Sequence, residues 1–145
     1  MNVKNLKKIL IFTDGGAISN PGPSASAFLI CDEKGNVIKE YKEFLGEGTN
    51  NEAEYKAAIL ALKKIKLLLG KERIKEVEVE IRSDSKLLVE QQNGNYKILD
   101  PKIRDLFVDL WNLRIEFGKI KFTLIEREKN KKADGLVKEV LFSHK

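Results

Sequence analysis

The sequence predicts an α/β domain in which helices pack against a mixed β-sheet. Residues 8–13 form a continuous apolar run, which is typical of a central strand that is buried on both faces. Residues 51–69 form a long amphipathic stretch in which apolar side chains recur at helical spacing. Together with the remaining segments, these give the predicted order βββαβααβα, which implies a mixed sheet.

Three strands are predicted in the first third of the chain. The apolar run at 8–13 is followed by residues 15–23, a loop rich in the turn residues Gly, Asn and Pro. Residues 25–31 and 37–45 predict two further strands, and the polar segment 32–36 between them predicts a hairpin. These three strands would follow one another without an intervening helix.

The rest of the chain supplies helices and two further strands. The predicted elements are, in order, a helix over 51–69, a strand over 77–81, helices over 85–92 and 101–117, a strand over 119–125 and a helix over 131–142. Gly70 is well placed to end the first of these helices, and Pro101 occupies a favoured position at the start of another.

Length and composition describe one globular domain over residues 1–145. Cys31 is the only cysteine, so an internal disulfide is excluded and a core position in a reducing compartment is expected. Lysines interrupt every apolar stretch before it could span a membrane, so a cytoplasmic location without a membrane partner is expected. The net charge of +5 favours a polyanionic partner.

Four acidic residues lie where predicted elements begin or end. They are Asp14, Glu54, Asp84 and Asp134. Carboxylates so far apart in sequence converge only if the fold gathers the ends of these elements. Because like charges repel in one cleft, a hard divalent cation such as Mg²⁺ is the natural counter-charge. The pattern therefore points to metal-dependent phosphate chemistry.

Glu54 is the most informative of the four acids. Ala58 and Leu62 follow it at helical intervals, so Glu54 lies on the stripe that faces the core. Glu52 instead lines up with Lys56 on a solvated face, where an i,i+4 ion pair is expected. Because a carboxylate on the apolar face needs a partner, Glu54 is the candidate metal ligand and Glu52 a surface residue.

The other three acids have simpler interpretations when each is considered alone. Asp14 precedes Gly15 and could start a turn. Asp84 could cap the helix that follows it, and Asp134, near the start of its helix, suits the helix dipole. Only the joint placement of all four acids raises the metal-site hypothesis above these alternatives.

The remaining conspicuous side chains are expected to be structural or solvated. His144, the only histidine, is expected to belong to a frayed tail rather than to act as a base. Three apolar residues are expected to pack their helix on the core: Phe107, Leu110 and Trp111. Four basic residues before Asp134 are expected to be solvated, within reach of phosphates: Arg127, Lys129, Lys131 and Lys132.

Four motifs follow one another along nearly the whole chain. They are Asp14-Gly15-Gly16 with Asn20-Pro21-Gly22-Pro23, then Asn50-Asn51-Glu52-Ala53-Glu54-Tyr55, then Ser83-Asp84-Ser85, and finally the segment from Arg127 to Asp134. In this order they resemble type 1 ribonuclease H. The resemblance implies an α/β, ribonuclease H-like fold with a five-stranded mixed sheet whose first three strands are antiparallel. It also implies cleavage of the RNA strand of an RNA/DNA hybrid.

The resemblance further implies a set of site residues. Two Mg²⁺ or Mn²⁺ ions would be held by Asp14, Glu54, Asp84 and Asp134, and the products would carry 5′-phosphate and 3′-hydroxyl ends. Contacts with the minor groove and its 2′-hydroxyls carry over to Asn20, Asn50 and Asn51. The backbone of Gly15 and Gly16 would approach the same sugars, and Arg127 would meet the phosphates.

Two departures from the family pattern carry expectations of their own. Many bacterial members have a His in the loop before the last helix; residues 126–129 contain none, and Glu128 or His144 is the candidate substitute. Many members also insert a basic, Trp-rich substrate handle, whereas residues 93–97 lead almost directly to the helix at Pro101. This compact form predicts weaker hybrid binding or reliance on another basic surface.

Three other functions stay open at the level of sequence. A DNA nuclease or resolvase of related fold would share the acidic cluster, although the two asparagines before Glu54 disfavour it. A non-catalytic nucleic-acid-binding module would be expected to have lost one of the acids. Activity on double-stranded RNA is a closer variant of ribonuclease H activity. A monomer is the expected state.

Overall fold

The structure, a computed structural model, describes residues 2–144. Its strands are β1 (Lys8–Ala17), β2 (Gly22–Cys31), β3 (Val37–Gly48), β4 (Glu78–Ser83) and β5 (Lys119–Leu124). Its helices are α1 (Asn50–Leu69), α2 (Lys86–Gln92), α3 (Pro101–Arg114) and α4 (Lys131–Ser143), with short 3₁₀ turns at Val3–Asn5, Arg73–Lys75 and Arg127–Asn130. Within residues 2–144, none of the helices combines the length and apolarity needed to cross a membrane.

The strands form one mixed sheet in the order β3-β2-β1-β4-β5. β2 runs antiparallel to both β1 and β3, whereas β4 runs parallel to both β1 and β5. The predicted five-stranded mixed sheet, with its first three strands antiparallel, is therefore confirmed. In open α/β sheets, ligands bind beyond the carboxyl ends of the strands, and this is where β1 and β4 separate.

β1 is longer than its apolar run predicts. Its pairing with β4 ends at Thr13, but its pairing with β2 continues to Ala17. The prediction of a strand that ends before Asp14, with Gly15 and Gly16 in a loop, is therefore wrong. Backbone pairing needs no side chain, and a glycine in a strand often marks a place where another backbone comes close. Asp14 thus lies at the point where β1 and β4 part.

Helices cover the two faces of the sheet. The buried residues of α1, α2 and α3 share one core with Ile9 and Ile11 of β1. α4 packs on the opposite face, against a smaller core that includes Leu10 of the same strand. Cys31 is fully buried in this second core, as its apolar neighbours predict. Because both cores contain residues of β1, the strand that carries Asp14 is held from both faces.

α1 begins and ends within one residue of its prediction. Thr49 is the N-cap: its side chain accepts a hydrogen bond from the Glu52 N–H at 3.1 Å, and Glu52 Oε1 accepts one from the Thr49 N–H at 2.9 Å. The Glu52 carboxylate is therefore engaged in this capping box at the helix start, and not in the predicted ion pair with Lys56. Gly70 ends the helix with a φ of 87°, which favours glycine.

Two expectations about aromatic side chains are corrected. Leu110 is buried as expected, but Trp111 is 46% exposed and stacks on Phe107 with ring centroids 6.2 Å apart. The ring of His144 stacks on Phe44 at 3.9 Å, so this residue ends α4 in contact with β3 instead of fraying. Phe107 is half-buried against the core, as expected, whereas Trp111 is largely exposed to solvent, and the end of α4 is tied to the sheet.

Candidate active site

The four acids converge where β1 and β4 separate. Asp14 lies on β1, and Asp84 directly follows β4. Glu54 lies near the start of α1, and Asp134 lies in the first turn of α4. All four line one cleft of about 480 Å³, together with the backbone of 15–16. Within it, Asp14, Glu54 and Asp84 each place a carboxylate oxygen within 4.8 Å of the other two.

A close approach between β1 and α1 brings Glu54 to Asp14. A Cβ on Gly15 would stand 2.3 Å from the carbonyl carbon of Ala53 and 2.5 Å from the backbone nitrogen of Glu54. The Oγ of Ser26 donates a hydrogen bond to the Ala53 carbonyl at 2.7 Å. Only glycine, which has no Cβ, leaves room for α1 at this distance, so position 15 requires glycine for steric reasons.

Asp84 is left free by the neighbouring serines. Ser85 caps α2, because its side chain accepts a hydrogen bond from the Leu88 N–H at 3.3 Å. Ser83 Oγ accepts a hydrogen bond from the Ser85 N–H at 3.0 Å, which closes the turn between β4 and α2. The simpler interpretation of Asp84 as the helix cap is therefore wrong, and its side chain lines the cleft.

Burial and mutual repulsion make the cluster costly to ionise. Asp14 is 5% exposed and Glu54 is 8% exposed, and Glu54 Oε1 has no hydrogen-bond partner among the described residues. Burial first, and then the charges of Asp84 and Asp134, raise the pKa of Asp14 to about 8. Burial first, and then the charges of Asp14 and Asp84, raise the pKa of Glu54 well above its ordinary value.

The donor set fits a hard divalent cation. Burial, as the largest effect, and the charge of Asp134 raise the pKa of Asp84, although Arg127 opposes them. The buried Oε1 of Glu54 is an acceptor that lacks a donor, and such an oxygen is stabilised by a metal ion. Clustered carboxylate oxygens suit Mg²⁺ or Mn²⁺ better than softer metals.

The raised pKa values predict an unusual pH dependence of stability without metal. A carboxyl group whose pKa is higher in the folded than in the unfolded protein penalises the ionised fold. The free energy of unfolding therefore falls as the pH rises from the unfolded pKa towards the folded one. For Asp14 this window runs from 3.8 to about 8, so we expect the Tm in EDTA to fall between pH 5 and pH 8.

Thermal unfolding with EDTA or Mg²⁺ at several pH values checks this expectation. Each pKa unit corresponds to about 1.4 kcal/mol, so the Tm difference between Mg²⁺ and EDTA should widen with pH. Asp14→Asn is the matched control, because it removes one of the titrating groups and should flatten the profile in EDTA. A Tm in EDTA that rises from pH 5 to pH 8 would contradict the raised pKa values.

Amide side chains and one arginine form the rim of the cleft. Asn50, Asn51 and Arg127 line it. Asn20 instead supports Asn50, because its Oδ1 accepts a hydrogen bond from the Asn50 N–H at 2.9 Å. Asn50 Oδ1 in turn accepts one from the Ala17 N–H at 2.8 Å. Since the oxygen of Asn50 is thus engaged, its NH₂ group is the part left to donate.

Lys138 is a cleft residue that the sequence analysis did not single out. Its Nζ lies 3.0 Å from Asp134 Oδ2, one helical turn away, and its side chain lines the same cleft. The available sequence signal was the i,i+4 spacing from Asp134. Lys86 at the start of α2 also lines the cleft. With Arg127, these lysines give the acids a positively charged surround.

Comparison with known proteins places this geometry in one family. The family model described as Reverse transcriptase-like matches residues 12–140. A ribonuclease H of Caldicellulosiruptor saccharolyticus is 30% identical in an alignment 141 positions long that covers 90% of this chain and 89% of that protein. The chain belongs to the type 1 ribonuclease H family.

Solved ribonuclease H structures share the fold. One is LC11-RNase H1, which was isolated from compost and was solved in complex with an RNA/DNA hybrid. It is 41% identical to this chain with a TM-score of 0.88, and the match covers 94% of this chain and 98% of that one. The RNase H1 of Halobacterium salinarum has a TM-score of 0.85 at 30% identity, covering 94% and 98%. The chain spans only 35% of the length of the bifunctional protein Rv2228c of Mycobacterium tuberculosis, to which it is 33% identical over 92% of its own length.

The compact ribonuclease H form, which has no basic substrate handle, is visible between α2 and α3: these two helices are joined directly by residues 93–100.

The two candidate substitutes for the missing loop histidine, Glu128 and His144, are poorly placed for that role. Glu128 is exposed in the turn before α4. His144 lies at the far end of α4 from Asp134, about 15 Å away along the helix axis. The distance and the stacking on Phe44 argue against His144 as a ribonuclease H proton carrier.

Proposed function

We propose that this chain is a metal-dependent endonuclease that cleaves the RNA strand of RNA/DNA hybrids. The observation that carries the proposal is the convergence of Asp14, Glu54 and Asp84 in a cleft with basic and amide side chains at its rim. Buried carboxylates that repel one another are favourable only when cations join them. Family membership, and a relative solved with an RNA/DNA hybrid, support the choice of substrate.

Two Mg²⁺ or Mn²⁺ ions are proposed to be held by Asp14, Glu54, Asp84 and Asp134. When bound, the ions supply a water nucleophile of lowered pKa and neutralise the leaving 3′-oxygen, which gives 5′-phosphate and 3′-hydroxyl ends. Glu54 is the most constrained ligand, because α1 is seated directly on Gly15. Asp134 is the most adjustable one, because its side chain is 35% exposed and pairs with Lys138.

The rim supports recognition of RNA without regard to base sequence. The NH₂ group of Asn50 is free to donate, and the minor groove offers it base acceptors and the 2′-hydroxyl oxygen. Asn20 fixes the backbone of Asn50, and Asn51 adds a second amide. The backbone of 15–16 lines the cleft where a sugar would lie. Arg127 would contact phosphates, which carry no base information.

Three finer proposals concern the range of substrates, the oligomeric state and the cellular location. Double-stranded RNA offers the same 2′-hydroxyls as a hybrid, so weaker cleavage of RNA duplexes is proposed as a side activity. A single-domain monomer is proposed as the working form, because all four acids of the cleft come from this one chain. The buried free thiol of Cys31 suits the reducing cytoplasm.

End-labelled duplexes of one sequence test the proposal: RNA/DNA, RNA/RNA, DNA/DNA, and DNA with a single ribonucleotide. Each is incubated with Mg²⁺, Mn²⁺ or EDTA, with the wild type and with Asp14→Asn. We expect metal-dependent cutting of the RNA strand of the hybrid, slower cutting of RNA/RNA, and no cutting by Asp14→Asn. Mapping the product ends checks for 5′-phosphate and 3′-hydroxyl groups.

Other outcomes would assign the chain elsewhere. Cutting of DNA/DNA alone would indicate a resolvase-like nuclease of the same fold. Tight hybrid binding with no cutting in either metal would indicate a binding module. Equal activity of the wild type and Asp14→Asn would show that the acidic cluster is not the active site.

A further inference from the structure

Asn130 begins α4, yet its side chain does not serve its own helix. It is the N-cap residue and is 2% exposed, but its side chain makes no capping hydrogen bond. Asparagine is favoured at this position because its oxygen usually accepts an N–H of the first turn. Here Oδ1 has no partner among the described residues. The side chain is therefore used for another contact.

That contact joins Asn130 to β1. Its Nδ2 donates a hydrogen bond to the carbonyl oxygen of Thr13 at 2.8 Å, and the contact is buried. Thr13 is the last residue of β1 that pairs with β4, and Asp14 is the next residue. The hydrogen bond therefore anchors the start of α4 to the backbone beside Asp14, at the point where the sheet opens.

Asn130 also links the strand of Asp14 to a second acid of the cleft. Asp134 follows Asn130 by four residues, in the first turn of the helix that Asn130 begins. One buried residue thus contacts the strand of Asp14 and begins the helix of Asp134.

We propose that Asn130 is a positioning residue that sets the distance from Asp134 to the cluster of Asp14, Glu54 and Asp84. Those three acids are already within 4.8 Å of one another through β1, α1 and β4. Asp134 comes from the opposite face of the sheet, where α4 packs on a separate apolar core. Two surface ion pairs and the stacking of His144 on Phe44 hold α4 to β3. The hydrogen bond of Asn130 is a buried, directional contact that joins the start of α4 to β1 beside Asp14. The inference rests on the proposed function, because the distance matters only if the four acids share metal ions.

Two substitutions and one control test the role of the amide. Asn130→Ala removes it, and Asn130→Ser keeps a strong helix cap but is too short to reach Thr13. Asn93→Ala is the matched control, since Asn93 Nδ2 also donates to a strand carbonyl, that of Phe122 at 3.2 Å. Mg²⁺ affinity is measured without nucleic acid, by calorimetry and by the rise in Tm with Mg²⁺ concentration.

We expect the Mg²⁺ Kd of both Asn130 variants to rise about tenfold or more, as for other residues that orient metal ligands. At fixed Mg²⁺ we expect kcat on the hybrid to fall by a similar factor with KM little changed. Asn93→Ala should keep the wild-type Kd and kcat. A folded Asn130→Ser variant with the Mg²⁺ affinity and kcat of the wild type would overturn the inference.

Side-chain NMR of the wild type decides the question even if the Asn130 variants fail to fold. The Asn130 NH₂ protons are expected to exchange slowly and to shift when Mg²⁺ is added, unlike those of Asn93. Fast exchange and no shift at Asn130, in a protein that binds Mg²⁺, would overturn the positioning role alone. A wild type that binds no Mg²⁺ would overturn the proposed function, and this inference with it.

Discussion

Glu54→Gln is expected to abolish hybrid cleavage while stabilising the metal-free protein. Gln has the size of Glu but cannot offer an ionised oxygen to a cation. We expect kcat to fall by about 10³-fold or more, as when one charged or polar group of an active site is removed. In EDTA at pH 8, the same change removes an ionisable group whose charged form is disfavoured by burial, Asp14 and Asp84. The Tm in EDTA should then rise by about 4 °C for each kcal/mol relieved.

Glu52→Gln is the matched control for Glu54→Gln, because both residues lie near the start of α1. The side chain of Glu52 closes the capping box with Thr49, and Gln serves in such a box as well as Glu. Cleavage and the Tm in EDTA should therefore stay close to those of the wild type. Equal losses of activity in the two variants, or a lower Tm in EDTA for Glu54→Gln, would contradict the assignment of Glu54.

Gly15→Ala is expected to destabilise the fold by about 3 kcal/mol, at the upper end of the usual cost of overpacking. The new methyl group would stand 2.3 Å from the carbonyl carbon and 2.5 Å from the carbonyl oxygen of Ala53. These are backbone atoms of a helix, so no side chain can rotate aside and α1 must move from β1. Hybrid cleavage should fall sharply even below the Tm, because Glu54 moves with the helix.

Gly16→Ala shows whether space or glycine itself is decisive. A Cβ on Gly16 would lie 3.4 Å from Val137 Cγ1, close to ordinary contact, and neither glycine has a φ in the left-handed region. We expect the stability of this variant to lie within about 1 kcal/mol of the wild type. Denaturant unfolding measures both variants, and similar losses at positions 15 and 16 would refute the steric argument.

The fold could be predicted because its elements carry strong local patterns. The helix at α1 has a clear apolar stripe and a terminal Gly70, and both appear in the structure. The extent of β1 could not be predicted in the same way. Apolar side chains stop at Asp14, whereas the backbone continues to pair with β2 as far as Ala17. Hydrophobic patterning reports buried side chains and is silent about strand pairing beyond them.

The acids of the candidate site could be named from sequence, but their supports could not. Asp84 could equally have capped α2, and only the geometry gives that task to Ser85. Asn20 is expected to contact the hybrid, and the structure adds a role that the sequence did not indicate, since its side chain holds the backbone of Asn50. Contacts between residues thirty or more positions apart leave no periodic trace in a single sequence. The contact of Asn130 with Thr13 belongs to the same class.

The parallel pairing of β1 with β4 bears on how the chain reaches its folded state. β1, β2, β3 and α1 are neighbours in sequence and can associate through short loops, whereas β4 reaches β1 only after the chain has crossed through α1. That later step brings Asp84 against Asp14 and Glu54. The repulsion from Asp84 therefore arises on closure of the sheet, whereas the burial of Glu54 beside Asp14 accompanies the packing of α1 on β1. A cation that offsets this repulsion would favour the closed sheet, so Mg²⁺ would stabilise the assembled fold as well as serve its chemistry.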